Sequence, residues 1–580
     1  MKISAAQALL KELERWGIDH IYGIPGSSLN GMMDALEKEK DKISYIQVRQ
    51  EGAGAMAATA DYKFSHKIGV AFGSGGPGAS NMLNGLYDAK LDRVPMLALV
   101  AQGDSTLQNT SGFQETEVLP LYENVGIYNR KAMNAKSIPY MVEDAIRAAY
   151  EYKGPAVIIL HNDFMEEKIK YKPLRTPLNE FQSPHYPIKD EQIDEVVDSL
   201  LKAENPVLYL GEGVRGYRDL AVAVSEKFNL PTLSSALSTG NSFPSEHKNY
   251  LGAFGRLGTK PAFEIMQNTD LVLYVGSNFP FARYWNKSIK FIQVNNSYRD
   301  LGRQMPSDLS ILADSGDFLN ALLDRKETRK ESKFLLAARE NMKNWRDWLR
   351  QIADSEAPHL LGETVMLAIK DKLAKDDSLF ALDVGNNKAH AIRNLPFNEN
   401  QKMIMSGRFA TLGYGLPGGI AGKISYPDRE VFTIQGDGGY AMNMQEIVTQ
   451  AKYNLPIINI LLTDLSFGFI EHSQKENLEY PFGIKIADAD WAKTAEAMGA
   501  IAFSVKTKEE LDKAIEEVNK LQENGNSKPI FIEAKILYRD PVDTGNMKLD
   551  FNKYSKEEIE KFKEEYKIDL PNYEDLIKKY

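Results

Sequence analysis

Residues 432–464 read FTIQGDGGYAMNMQEIVTQAKYNLPIINILLTD. A β-rich run, Val431–Gln435, meets the glycine turn Gly436, Asp437, Gly438, Gly439; a helical pattern follows, then Pro456 and a second apolar run ending at Asp464. Strand, turn, helix and strand in that order predict a parallel βαβ unit. Glycines after the first strand let backbone N–H groups approach a phosphate at the helix N-terminus. An aspartate in such a turn repels phosphate, so Asp437 calls for an intervening cation. Asp464 follows it by 27 residues, which places both carboxylates at the carboxyl ends of neighbouring strands, the edge where α/β sheets bind ligands. Two hard oxygen ligands with diphosphate oxygens suit Mg²⁺. Taken alone, the motif reads equally well as a tight turn followed by a helix cap.

Outward from this unit, Val70–Ala101 (VAFGSGGPGASNMLNGLYDAKLDRVPMLALVA) has the same order of strand, glycine turn, helix, proline and strand. From first glycine to proline the step is 22 residues here and 20 there, with an Asn-Met pair inside each helix. Two readings stand: an ancient duplication, or the form that any βαβ unit with a glycine turn takes.

The 580 residues allow several domains. Two stretches read as connectors, the proline-bearing Lys170–Gln192 and the charged Asp324–His359, in which Trp345, Trp348 and Leu349 suggest a solvated helix that docks a few aromatics. They leave blocks at 1–180, 190–330 and 360–545, followed by a charged tail, 546–580. Each block alternates apolar runs with helical patterns, so the expected fold class is α/β, three α/β domains with mostly parallel sheets. The formal charge is −10, with no long basic block, which argues against nucleic acid. Cysteine is absent, excluding disulfides and thiolate metal sites and fitting a reducing, cytoplasmic setting. The apolar runs fall far short of the ~20 residues that span a bilayer. The charged N-terminus, with Ser4 as a helix cap, is not a signal peptide.

The GDG turn followed by Asp at the end of the next strand resembles the thiamine diphosphate fingerprint. YGIPGSSLNGMMDAL, YIQVRQEGAGAMAA, FGSGGPGASNMLNGLYDA and FQETEVLPLY are similar to the N-terminal part of pyruvate oxidases and acetolactate synthases, while GSNFPF, DVGNN, FATLGYGLPG and DPVDTGNMKLD look closest to flavin-dependent, phosphate-using pyruvate oxidases. The resemblance spans essentially the whole chain and implies the thiamine diphosphate enzyme architecture, with a pyrimidine-binding first domain, an FAD-binding central domain and a diphosphate- and Mg²⁺-binding third domain. It assigns the metal to Asp437, Asp464 and the Ser466 carbonyl, and the aminopyrimidine to backbone groups of Val384 and Gly385. Leu412 takes the place of the apolar prop that holds the cofactor bent. Gly26 and Ser27 join the cofactor set with Gly436, Gly438 and Gly439.

Glu51 follows the β-type run Ser44–Arg49 and precedes a small-residue helix. A carboxyl buried there can share a proton with a neutral heterocyclic nitrogen, and the resemblance assigns it to N1′ of the cofactor. Ser28, Phe113, Gln114 and Phe469 fall where pyruvate oxidases contact substrate or the path to the flavin. For FAD, the resemblance implies Gly211, Gly213, Ser234, Arg256, Gly276, Ser277, Asn278, Phe279, Asn295 and Asp314. Three positions depart from the family pattern: Gln50 where relatives carry His, Asn295 in place of an acidic ribose ligand, and Ser473 in place of an acidic side chain.

The implied reaction is oxidative decarboxylation of pyruvate with phosphate and O₂ to acetyl phosphate, CO₂ and H₂O₂, through a hydroxyethyl-thiamine diphosphate intermediate that FAD oxidises. The implied assembly is a homo-oligomer, at least a dimer and expected as a tetramer. Carboligation of the acetolactate synthase type, with a non-redox FAD, and a catalytically silent assembly protein of the same fold are the alternatives. The charged tail Ser555–Tyr580, broken by Pro571, lacks the continuous apolar face of a membrane-reaching segment.

Overall fold

In the computed structural model, which describes residues 2–173, 185–279, 285, 288–355, 359–398, 400–537 and 554–566, three wholly parallel six-stranded sheets follow one another along the chain. The first part contains β1 (Lys2–Ser4), β2 (His20–Gly23), β3 (Ser44–Gln47), β4 (Gly69–Gly73), β5 (Met96–Gln102), β6 (Tyr128–Lys131), β7 (Pro155–His161) and β8 (Lys168–Lys170). β1 and β8 pair antiparallel, and the other six form a sheet ordered β3-β2-β4-β5-β7-β6. The central part supplies β9 (Pro206–Leu210), β10 (Thr232–Ser234), β11 (Tyr250–Ala253), β12 (Leu271–Val275), β13 (Lys290–Asn295) and β14 (Leu309–Leu312), ordered β11-β10-β9-β12-β13-β14. The last part supplies β15 (Leu379–Leu382), β16 (Lys402–Met405), β17 (Val431–Gly436), β18 (Ile458–Thr463), β19 (Ile501–Val505) and β20 (Ile530–Lys535), ordered β16-β15-β17-β18-β20-β19.

Counted within each sheet, the first and last share the order 2-1-3-4-6-5, whereas the central sheet runs 3-2-1-4-5-6. The shared order favours duplication over coincidence for the two glycine-turn units. The central order is the doubly wound arrangement that binds dinucleotides where the winding reverses, here between β9 and β12. The inner strands, such as β5, β7, β9 and β12, are nearly continuous buried apolar runs, as strands of parallel sheets are, whereas the edge strands β3 and β6 carry polar residues.

Local differences from the sequence reading have physical causes. Ser4 does cap the first helix, Ala5–Arg15, accepting from Gln7 N at 3.1 Å. The helix after the GDGG turn is split into Asp437–Asn443 and Glu446–Lys452. The break lets Asn443 Nδ2 donate to the Gly413 carbonyl at 2.8 Å and turns Glu446 toward the first domain, where it accepts from Arg49 N at 2.9 Å. Within the charged stretch near 324–359, the helix Lys333–Ala353 buries Ala338, Met342, Trp345 and Leu349 in one cluster with Phe254, Phe263 and Tyr274, so it packs on the central domain. The proline connector's Pro177 and Pro184, the segment 280–284, DPVDTGNMKLD and residues 567–580 lie outside the described residues. The tail helix Lys556–Tyr566 buries Ile559 and Phe562, with Leu478 and Tyr554 beside them. Among the described residues, no helix is long and apolar enough to cross a membrane.

The first and third sheets are joined through the helix Glu51–Ser65, which is buried on nearly every side. It lies against helix Pro77–Asp92 of its own domain and helix Gly415–Ser425 of the third, and one apolar cluster runs unbroken from Ala55, Ala58 and Phe64 to Tyr414, Ile420 and Ala421. Small residues make this possible. A Cβ at Gly85 would lie 2.6 Å from Ala55 Cβ, and one at Gly69 would lie 2.0 Å from the Ala58 oxygen. Near its end, Lys63 Nζ meets Asp88 at 2.9 Å, Asp92 at 2.7 Å and the Met405 carbonyl at 2.8 Å. Burial alone would discharge this ammonium, but the two carboxylates hold it protonated well above its ordinary range.

Removing one member of a buried ion cluster leaves the others uncompensated, at a typical cost of ~3–5 kcal/mol. Lys63→Met is therefore expected to lower the denaturant midpoint strongly while Lys38→Met, at an exposed pair, leaves it nearly unchanged. Equal midpoints for the two variants would show that the cluster does not stabilise the docking of the domains.

Candidate active site

Every residue singled out for chemistry lies at the carboxyl end of a strand or in the segment that follows one, so each sheet presents one working edge. On the first sheet, Glu51 opens helix Glu51–Ser65 directly after β3. The side chain of Gln50 caps that helix, accepting from Ala53 N at 3.0 Å, so the residue that stands in place of histidine is spent on the helix N-terminus. Glu51 is 8% exposed, and its Oε2 accepts from Asn81 Nδ2 at 3.0 Å. A Cβ at Gly78 would crowd Glu51 Oε1 at 3.0 Å and Ser74 Oγ at 2.9 Å, and one at Gly26 would meet Ser74 Cβ at 2.7 Å. Glycine at these places keeps the space around the carboxylate open.

Beside this edge, Ser27, Ser28, Phe113 and Gln114 line one cleft of about 120 Å³ with Gly75, Gly103, Asp104 and Asn162. Ser28 Oγ accepts from Gly75 N at 3.4 Å, and Gln114 holds a positive φ of 59°. Phe113 is 87% exposed. Four of the five proposed catalytic residues thus share the edge of the first sheet. Phe469 does not: it lies in helix Gly468–Glu476 of the third domain, with the Arg256 guanidinium 4.5 Å from the centre of its ring.

On the third sheet, Asp437 is 2% exposed and its two oxygens accept from Gly438 N and Leu465 N, each at 2.8 Å. Asp464 accepts from Ser466 N at 3.1 Å. Burial pushes both carboxyls up, and the charge of Asp437 helps raise Asp464 to about 7. Two buried carboxylates that repel one another are stabilised by a shared cation. Among the described residues no third His, Asp or Glu completes a protein-only cage, so further ligands would come from a backbone carbonyl and the bound molecule. The strand-like bridge from this loop to Lys485 is carried by Leu465 O and Phe467 N, on either side of Ser466. Ser466 Oγ donates to Glu471, which also pairs with Lys475. Glu476, the other acidic group near Ser473, pairs with Arg256 and His472.

Val384 and Gly385 follow β15, with Gly385 at φ 129°. Leu412 is half-buried between Ala410 and Gly413, both at positive φ. At the same edge Asn386 Nδ2, Asn387 Oδ1 and Thr463 Oγ1 are buried without a hydrogen-bond partner, and a Cβ at Gly436 would meet only Asn387 Oδ1 at 3.8 Å and the Leu462 oxygen at 4.0 Å. Orphaned polar atoms beside an open glycine turn fit a bound polar group. Gly438 and Gly439 have a different reason: a Cβ would collide with Phe467 at 2.6 Å and with Asp383 at 2.8 Å.

On the central sheet Gly211 and Gly213 after β9 and Gly276 to Phe279 after β12 meet at the reversal of winding, while Ser234, Arg256, Asn295 and Asp314 lie at the carboxyl ends of the flanking strands. Gly211 N donates to Val275 O at 2.9 Å and Gly213 N to Gly276 O at 2.8 Å, so the two turns lie backbone to backbone. Asn295 Nδ2 donates to the Ser277 carbonyl at 3.0 Å and its Oδ1 accepts from Ser297 N, which makes it a brace for that turn. Asp314 caps helix Ser315–Leu323 and Ser234 shares a hydrogen bond with Tyr250. Asn278 and Phe279 are half-buried, and Arg408 of the third domain stands 5.4 Å from the Phe279 ring centre. Arg256 keeps a buried Nε without a partner, a donor that fits an anionic group.

The sequence reading missed Asn81, the partner of Glu51, and Asp383. The Asn-Met pair at 81–82 is the one available signal for Asn81; Asp383 opens the DVGNN motif, which marks the turn but not the distant glycines that Asp383 binds.

Family models of the thiamine pyrophosphate enzymes match the chain in order: the N-terminal TPP binding domain over residues 3–121, the central domain over 193–322 and the C-terminal TPP binding domain over 383–534. The pyruvate oxidase of Lactiplantibacillus plantarum is 37% identical across 100% of this chain and 96% of its own length. YdaP of Bacillus subtilis is 33% identical across 99% of each chain. An acetolactate synthase large subunit of Corynebacterium glutamicum is 27% identical across 92% of this chain and 86% of its own. Three domain matches in sequence, over the three sheets whose edges hold Glu51, the central glycine turns and the Asp437–Asp464 pair, show that the chain belongs to the thiamine pyrophosphate enzyme family.

Proposed function

We propose that this enzyme oxidises pyruvate, with phosphate and O₂ as co-substrates, to acetyl phosphate, CO₂ and H₂O₂, using thiamine diphosphate, Mg²⁺ and FAD. The observation that carries the oxidase reading is the stacking of Arg256, from the central domain, on Phe469 of the third. It brings the proposed flavin edge against the helix that follows the metal motif. An acetolactate synthase with a structural flavin is the competing reading, and the 37% against 27% identity supports the oxidase.

When bound, thiamine diphosphate supplies the carbon nucleophile and electron sink for decarboxylation, and FAD the two-electron acceptor. The chain's own groups do the rest. Asp437, Asp464 and the Ser466 carbonyl would hold Mg²⁺ and through it the diphosphate, while Val384 and Gly385 would offer backbone groups to the aminopyrimidine and Leu412 would support the cofactor by its bulk. Glu51, positioned by Asn81, holds a proton at the aminopyrimidine nitrogen. Ser28 and Gln114 bind the pyruvate carboxylate, and Phe113 and Phe469 exclude water from the reacting carbon. The exposed Phe113 and the separation of Phe469 from the Ser28 cleft support completion of the site by a second copy, in a dimer or tetramer. A cytoplasmic location fits the cysteine-free chain.

Glu51→Gln is expected to lower kcat by ~10² to 10⁴-fold with the melting temperature unchanged, because a neutral amide cannot move the proton. Activity above about a tenth of the original would remove Glu51 from the reaction. Asp437→Ala is expected to lose Mg²⁺ and thiamine diphosphate together in calorimetric titrations; undiminished affinity would place the metal elsewhere. The purified enzyme is expected to be yellow, to bleach on anaerobic addition of pyruvate, and to form acetyl phosphate and peroxide in equal amounts only when phosphate is present. Acetolactate formation with a flavin that stays oxidised would decide for the synthase.

A further inference from the structure

Asp383 follows β15 and is wholly buried. Its Oδ1 accepts from Val384 N at 2.6 Å and Gly413 N at 3.0 Å, and its Oδ2 accepts from Gly415 N at 3.0 Å. The GDGG turn presses on the same carboxylate, since only a glycine at 439 leaves room for Oδ1. One side chain therefore touches the three segments of the third sheet's edge: the Val384–Gly385 turn, the loop after Leu412 and the metal turn.

Leu412 is also fixed from its other side. Thr411 N donates to Ser406 Oγ at 2.9 Å, and Thr411 Oγ1 accepts from Asn84 Nδ2 of the first domain at 2.8 Å. Asn84 stands one turn along helix Pro77–Asp92 from Asn81, the residue that holds Glu51. Between these anchors Leu412 has Ala410 at φ 55°, a conformation that surrounding contacts must hold, and Gly413 at φ 84°, which glycine adopts freely.

We propose that Asp383, assisted by Asn84, is a positioning residue that fixes Leu412 at the organic end of the cofactor and has no part in holding its diphosphate. The inference rests on the reading of Leu412 as the cofactor's support. Asp383→Asn keeps the shape but turns an NH₂ toward backbone N–H groups, so the clamp on Gly413 or Gly415 opens.

The test compares two probes on the full-length chain by calorimetry, Mg²⁺ with thiamine diphosphate and Mg²⁺ with inorganic pyrophosphate. Asp383→Asn is expected to weaken thiamine diphosphate about tenfold or more while pyrophosphate stays within about twofold. Leu412→Ala should show the same selectivity, and the double variant should be no more than about twofold worse than Leu412→Ala alone, because residues acting through one another are not additive. A merely structural aspartate would weaken both probes or neither, and either result overturns the proposal, as does additivity. Should Asp383→Asn fail to fold, Asn84→Ala must give the same selective loss in smaller measure, and an unselective loss or none overturns it. An unaltered chain that binds pyrophosphate but gains nothing from the thiamine portion would instead refute the support role of Leu412, on which the inference rests.

Discussion

The close packing of helix Glu51–Ser65 between two domains is the constraint from which the rest of the site follows. A helix buried on nearly every side cannot be amphipathic, and where it lies closest to its neighbours it cannot carry large side chains, which is why its first three turns read mostly as alanine and glycine and Phe64 comes only at its end. Its first residue must then lie at the edge of the first sheet, and Lys63 near its last must find counter-charges inside the protein. A carboxylate with its position set by a rigid helix N-terminus and by Asn81 is already oriented before any ligand arrives, which suits the proton-holding role proposed for it.

The three sheets divide the work by topology. The outer two share one strand order and each matches a thiamine pyrophosphate-binding domain, while the central sheet has the order suited to a dinucleotide and presents its own edge at the reversal of winding. Contacts between domains are polar and specific as well as apolar. Arg93 pairs with Asp300, Asn241 Nδ2 donates to the Met403 carbonyl at 3.0 Å, and Arg393 Nε donates to the Gly258 carbonyl at 2.8 Å. Such bonds fix the edges relative to each other, which a shared apolar cluster alone would leave free to slide.

What the sequence reveals of this arrangement depends on the range of the interaction. The Asp437–Asp464 pair is legible because a βαβ unit has nearly invariant geometry, so a separation along the chain converts to a place in space. Glu51 is legible for a similar reason, as a strand end followed by a run of small residues. Asp383 is not: its partners Gly413 and Gly415 lie 30 and 32 residues away and reach it only once β15, β16 and β17 are side by side. The break in the helix after Asn443 is equally hidden, since it is set by Gly413 and by Arg49 of another domain. At the central edge, motif logic identifies the turns but not the backbone bonds that Asn295 and Asp314 make around them.

The burial of helix Glu51–Ser65 also shapes the biosynthesis of the chain. Helix Gly415–Ser425, which covers it, is made about 350 residues later. At typical elongation rates of roughly 5–20 residues per second, the nascent chain carries the third-domain face of this helix without its partner for roughly 20 to 70 s. Central-domain synthesis fills that interval, so the interface that fixes Glu51 is completed late and over a long separation in the chain, the situation in which parallel α/β folds are slow and exposed to aggregation. The same small side chains that allow the final contact limit that exposure, because an alanine- and glycine-rich helix offers a neighbouring chain much less apolar area than leucines or phenylalanines would.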